Sequence, residues 1–97
     1  MRALSGEKKM KKIFEKLAEV KKNCEIQKYY TVLGTISYMF DYGLDYDEFN
    51  ELIELHKNGN SEIKEVIGDL LEDINYHSVC RALDEGNYEK AKKAYLG

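Results

Sequence analysis

Apolar residues recur every three or four positions along nearly the whole chain, the spacing of one face of a helix and not of a strand. Met10, Ile13, Phe14, Leu17 and Val20 form a first stripe, which predicts a helix over about Glu7–Asn23, with Asn23 as its stop. The period restarts at Ile26 and continues through Tyr29, Tyr30, Leu33, Ile36, Ser37 and Phe40. This predicts a second helix over about Glu25–Tyr42, ended by Gly43. Its β-branched residues Thr31, Val32, Thr35 and Ile36 also suit a strand, but strict alternation is missing. Gly34 and Ser37 on the expected inner face are small enough to let another helix approach closely. Asp45 followed by Glu48 is a capping-box pattern with aspartate in the cap position. It opens a third helix to about Lys57, with Phe49, Leu52, Ile53 and His56 inward. Asn58-Gly59-Asn60 is a stop and turn. Asn60 or Ser61 caps a fourth helix, whose Ile63, Val66, Ile67, Leu70, Leu71 and Ile74 give the cleanest amphipathic pattern. Near Asn75 the stripe changes register to Tyr76, Val79, Cys80 and Leu83, so a kink or break precedes a fifth helix to about Glu85. Gly86-Asn87 is a turn, and Tyr88, Ala91 and Tyr95 place a last helix over Tyr88–Tyr95.

The predicted fold is therefore all-α, a compact bundle of five or six short antiparallel helices. Ninety-seven residues make one domain, with residues 1–9 read as a flexible leader or an upstream start. Proline is absent, which removes the strongest helix breaker. The ending ALDEGNYEKAKKAY resembles half of a tetratricopeptide repeat at Gly86, Tyr88, Ala91 and Tyr95. One such unit cannot stack alone, so it reads as a helical hairpin. No window reaches the roughly eighteen apolar residues of a membrane span, and no signal-peptide core is present. A cytoplasmic protein with no membrane contact is the expectation.

Charge changes the picture more than composition does. The net charge of −3 hides a strong asymmetry. Residues 1–28 hold nine basic and four acidic groups, whereas residues 29–80 hold two basic and eleven acidic ones. Glu15 and Glu19 are spaced to pair with Lys12, Lys16 and Lys22 within the first helix. The acid is mounted on the third and fourth helices. Asp47 or Glu48, Glu51 and Glu54 line one ridge, and Glu62, Glu65, Asp69 and Glu72 line another. Such ridges imitate nucleic-acid phosphates or steer a basic protein partner. The plain alternative is the solvated outer face of any surface helix. Tyrosines sharpen the functional reading, because aromatics are enriched in interfaces. Tyr38, Tyr42 and Tyr46 lie in or beside the acidic stretch, and Tyr42, Tyr46, Asp45 and Asp47 form the predicted centre of contact.

Catalytic and metal chemistry find little support. The Glu-x-x-His di-iron pattern is missing, because Ile53 and Ile74 stand three before His56 and His77. The EF-hand pattern fails at its twelfth position. His77 and Cys80 share a helix spacing, but with Cys24 and His56 they match no zinc frame. As a thiolate–imidazole pair they would need an open pocket. No phosphate-cradling glycine loop or nucleophile elbow occurs. Both cysteines read as small buried hydrophobes. The expectation is a non-enzyme with no cofactor and no metal.

Small, acidic-faced helical chains of this length resemble the immunity proteins that bacteria make beside nuclease toxins, of the contact-dependent inhibition and colicin types. The resemblance is one of type, and no residue is carried over by position. It implies a non-catalytic inhibitor that clamps a basic toxin or nuclease domain. The residues expected to bind are Tyr42, Asp45, Tyr46, Asp47, Glu48, Glu51, Glu54, Glu62, Glu65 and Asp69. Three alternatives stay open. One is a viral nucleic-acid mimic that disarms a host nuclease. Another is a regulator that binds nucleic acid through Lys8, Lys11, Lys12 and Lys16, disfavoured by the acidic middle. The third is a subunit that forms a homodimer through its apolar stripes.

Overall fold

The computed structural model describes the backbone of residues 2–40 and 43–97, and the side chains of 10–40 and 43–97. Six α-helices and no strand occur among the described residues: α1 (Arg2–Lys22), α2 (Ile26–Met39), α3 (Tyr46–Asn58), α4 (Ser61–Asp73), α5 (His77–Asp84) and α6 (Tyr88–Leu96). α1 begins ahead of the expected Glu7. The all-α class holds, and α4 sits at the centre, packed against α1, α2, α3 and α5.

The core is the set of stripes read from the sequence. Met10, Phe14, Leu17 and Val20 of α1 meet Phe49, Leu52 and Ile53 of α3, and Val66, Ile67, Leu70 and Leu71 of α4, in one buried cluster. The four α4 residues are fully excluded from solvent. Each such side chain contributes about 1.5–3 kcal/mol by leaving water, so α4 is the element the others close around.

Three helices end in the same way. The chain turns through a left-handed residue at Cys24 (φ +62), Asn75 (φ +67) and Gly86 (φ +73). In each case the next amide reaches back across the last turn: Glu25 to the Val20 carbonyl (3.3 Å), Tyr76 to Leu71 (2.8 Å) and Asn87 to Ala82 (2.9 Å). These are Schellman closures. Asn75 and Gly86 suit that backbone. Cys24 does not, and its role corrects two expectations: the α1 stop is Cys24 and not Asn23, and Cys24 is exposed and not buried. At the other ends, Asp45 caps α3 and Asn60 caps α4 through its side-chain oxygen to the Ile63 amide (2.9 Å).

α2 departs most from expectation. It stops at Met39, short of the predicted Tyr42, because the chain must turn to bury Leu44. Ile26 and Tyr30, assigned to the inner stripe, are more than half exposed; Tyr29, Leu33, Ile36 and Phe40 carry the core contact. Gly34 faces outward, with no described neighbour near the position a Cβ would take. The close helix approach expected there is not made within this chain. Ser37 is partly covered, and its buried hydroxyl oxygen has no hydrogen-bond partner among the described residues.

Candidate protein-binding groove

The loop before α3 is held from three directions. Gly43 adopts φ +95, a conformation suited to glycine, and a Cβ there would stand 2.8 Å from the Tyr76 hydroxyl. That hydroxyl accepts a hydrogen bond from the Leu44 amide (2.9 Å), and the Tyr95 hydroxyl donates to the Leu44 carbonyl (2.5 Å). Tyr95 in turn stacks on Phe49, with ring centres 4.1 Å apart and planes within 9°. Both polar groups of one buried residue are thus satisfied by tyrosines from α6 and from the turn before α5. Asp45 follows immediately. Its carboxylate accepts from the Glu48 amide (2.7 Å), while the Glu48 carboxylate accepts from the Asp45 amide (2.9 Å). The start of α3 is therefore fixed in direction.

From this anchor α3 runs beside α1 and leaves a groove between them of about 920 Å³. Asp45, Asp47, Glu48, Glu51 and Glu54 line it from α3 and its cap. Lys11, Phe14 and Glu15 line it from α1, and Asn58, Asn60 and Ile63 close one end. Among the described residues, six carboxylates thus face one lysine. Three of the acids, Asp45, Asp47 and Glu48, sit at the α3 N-terminus, where the helix dipole favours negative charge. Glu51 and Glu54 lie beyond that turn. One oxygen of Glu51 is buried. Glu54 lies 3.9 Å from Lys57 one turn on, in an exposed pair. Asp47 is exposed and forms no ion pair with a described residue. The spacing of Asp47, Glu51 and Glu54 puts like charges together on one helix, which costs roughly 0.2–0.5 kcal/mol per neighbouring pair.

The α4 acids do other work. Lys21 of α1 bonds both Glu65 (2.5 Å) and Asp69 (2.9 Å), and the Tyr29 hydroxyl donates to the same Asp69 oxygen (2.6 Å). The Lys21 ammonium also stands 5.2 Å from the centre of the Tyr29 ring. Burial lowers the Lys21 pKa, but the bonds to Glu65 and Asp69 outweigh it and the net shift is upward. Burial, followed by the bond to Asp69, pushes the Tyr29 hydroxyl well up. This is a lock that ties α1, α2 and α4 together. Glu62 is exposed and lies outside both arrangements.

Of the residues expected to bind, the structure thus brings Asp45, Asp47, Glu48, Glu51 and Glu54 together. It ties Glu65 and Asp69 to Lys21, with Asp69 partly covered and Glu65 exposed. Tyr46 is half exposed, with its ring 6.4 Å from Tyr95, and does not line the groove. Tyr42 lies outside the described residues. The pairs expected within α1, from Glu15 and Glu19 to Lys12, Lys16 and Lys22, do not form within 4 Å. Glu15 and Lys11 instead belong to the groove. Sequence periodicity carried no signal for the Lys21–Asp69–Tyr29 lock, whose members lie 48 and 40 residues apart.

His56 and Cys80 are packed into the interior. His56 is buried on α3, its Nδ1 2.9 Å from the Tyr88 hydroxyl of α6. Burial and then Lys64 lower its pKa, against the pull of Asp84. The Cys80 thiol donates weakly to the Gly68 carbonyl (3.6 Å), and burial pushes its pKa up to about 11, the opposite of an activated thiolate. His77 stands 3.1 Å from Glu72 on the surface. No cluster of three metal-ligating side chains occurs among the described residues, and none of their helices is long and apolar enough to cross a membrane.

Comparison of the chain with known protein families, with curated proteins and with solved structures finds no match.

Proposed function

We propose that this protein binds and blocks a basic protein partner by holding a lysine- and arginine-bearing segment in the groove between α1 and α3. The observation that carries the reading is the excess of six carboxylates over one lysine among the described residues that line the groove. An anionic groove with apolar lining at Leu55 and Ile63 offers a cationic segment both steering and contact. Long-range attraction speeds encounter, and the apolar lining takes up the aliphatic stems of lysine and arginine. The resemblance to toxin-immunity proteins favours a nuclease or toxin domain as the partner and blockade as the outcome, with no chemistry performed by this chain.

Capture from source lysate at low and at moderate salt tests the reading. The groove predicts one basic protein retained at moderate salt, and its loss in an Asp47→Lys/Glu54→Lys variant with unchanged helical circular dichroism. Asp45 is left intact in that variant because its reversal would also remove the α3 cap. Unchanged capture by the variant, or retention of nucleic acid alone, would overturn the proposal.

A further inference from the structure

The C-terminus of α3 is the exception among the helix ends. After each of the other five helices the first non-helical amide bonds back into the last turn: Asn23 to the Glu19 carbonyl (3.0 Å), Phe40 to Ser37 (3.0 Å), Ile74 to Leu70 (3.0 Å), Glu85 to Arg81 (3.2 Å) and Gly97 to Lys93 (2.9 Å). The Gly59 amide makes no such bond to a described residue. Gly59 is extended instead, with φ −86 and ψ 161. Space demands a glycine there. A Cβ would stand 2.7 Å from the Leu55 carbonyl oxygen and 2.7 Å from Cγ2 of Ile63. The residue before it, Asn58, is exposed and lines the groove, and its carboxamide bonds to no described residue.

Asn58-Gly59 is the one Asn-Gly pair in the chain, and the other asparagines are restrained where Asn58 is not. The carboxamides of Asn60 and Asn87 cap helices, accepting from the Ile63 amide (2.9 Å) and the Lys90 amide (3.0 Å). Behind Asn23 and Asn75 the next amide is engaged, Cys24 to the Lys21 carbonyl (3.1 Å) and Tyr76 to Leu71 (2.8 Å). Asn50 lies within α3. At Asn58 both the carboxamide and the following amide are free of bonds to described residues. No side chain on Gly59 shields that nitrogen, and Asn58 is the last residue of its helix, where the backbone opens most readily.

We propose that Asn58 is a site of spontaneous deamidation, at which the folded chain adds a carboxylate to the end of its own groove. The Gly59 amide loses its proton, and its nitrogen attacks Cγ of Asn58. The bond from Cγ to the side-chain nitrogen breaks, and that nitrogen takes up a proton and leaves as ammonia. The product is a five-membered succinimide. Water adds to one of its two carbonyls and opens the ring, giving aspartate or isoaspartate, and the new carboxyl group releases its proton to solvent. Water is the co-reactant consumed. The described carboxylates lining the groove then rise from six to seven. The added charge stands at the C-terminus of α3, the end where the helix dipole disfavours it. The step needs no partner, so it stands or falls separately from the reading of the groove as a binding site.

Peptide mapping by mass spectrometry tests this on the full chain, incubated folded in buffer and unfolded in guanidinium chloride. Asn58 should be the first asparagine of the folded chain to convert, yielding both aspartyl and isoaspartyl peptides, at a rate that rises with pH as the Gly59 amide ionises. The converted protein should elute with the Asn58→Asp variant on anion exchange. Asn58→Gln, whose longer side chain would have to close a six-membered ring, should lose that acidic species while keeping its helical circular dichroism. A site reached only by global unfolding reacts about a thousandfold or more slowly in the folded chain, so conversion of Asn58 should be slowed by less than about a hundredfold relative to the unfolded chain. A greater slowing, earlier conversion of another asparagine, or an acidic species that persists unchanged in Asn58→Gln would overturn the proposal.

Discussion

At the scale of single residues, several side chains hold positions that their chemistry disfavours, and each makes a measurable claim. Cys24 sits at φ +62, a left-handed conformation that costs a non-glycine residue roughly 1–2 kcal/mol. Its side chain is exposed, so Cys24→Gly should raise stability by about 1 kcal/mol, read as a higher urea midpoint at unchanged slope. Ser37 buries a hydroxyl oxygen with no partner among the described residues, and Ser37→Ala should be neutral or stabilising by up to about 1 kcal/mol. His56 gives a pH signature. Its folded pKa lies below the ordinary 6.5, so between the two values the unfolded chain binds a proton that the folded chain refuses. Stability is then complete above about pH 6.5 and falls as pH drops through the lowered folded value. Urea midpoints at several pH values should decline on the acid side in the wild type. The decline should be shallower in His56→Gln, which keeps a group able to bond Tyr88. None of these three features was legible in the sequence, where Cys24 and His56 looked like ordinary inward positions. Helical periodicity reports which face a residue is on, and says nothing of its φ or its long-range partners.

At the scale of elements, features fixed by local chemistry were legible in the sequence and those fixed by tertiary packing were not. The Asp45–Glu48 box and the Asn60 cap are satisfied within four residues, and both form as expected. The register change at Asn75 became a true helix break, because asparagine tolerates the left-handed turn that closes α4. The end of α2 was misplaced because Gly43 is not its terminator. Gly43 serves the next element, by letting Leu44 reach two tyrosines more than thirty residues away. Gly43→Ala should therefore behave as an α3 mutation. It strains φ and pushes on the Tyr76 hydroxyl, so it should cost about 2 kcal/mol, with faster amide exchange at Leu44 and in the first turn of α3. Tyr95→Phe removes only the bond to the Leu44 carbonyl and should cost about 1 kcal/mol. Faster exchange confined to α2 in Gly43→Ala would show instead that the glycine serves the helix before it.

At the scale of the whole molecule, the acidic middle of the sequence divides into two structures with opposite energetics. Composition could not show the division. Two of the eleven carboxylates in that middle, Glu65 and Asp69, share the charge of Lys21 and tie α1 to α4. The acids of α3 and its cap gather along the groove, where Asp47, Glu51 and Glu54 place like charges one turn apart and Lys11 is the lysine that lines it among the described residues. A surface of that kind is held at some cost to the fold, and stability and binding should respond to it in opposite directions. Sodium chloride screens exposed charges beyond a Debye length of about 8 Å at physiological strength, and screens part-buried pairs less. Raising the salt should therefore increase the unfolding midpoint, by relieving the groove while leaving the Lys21 lock mostly intact. Glu54→Gln should reproduce part of that gain, about 0.2–0.5 kcal/mol from the like-charge pair with Glu51 set against its exposed pair with Lys57. Asp47→Asn also gives up the helix-dipole interaction of the first turn and should be near neutral, and the double variant should respond less to salt. The same two changes should weaken capture of a basic partner. Thermal or urea unfolding of the wild type and the double variant across a salt series, with no partner present, checks the first half. A wild type destabilised by salt, or variants less stable than it, would show that the groove carboxylates are held by favourable pairs, and would remove the energetic argument for a partner of opposite charge.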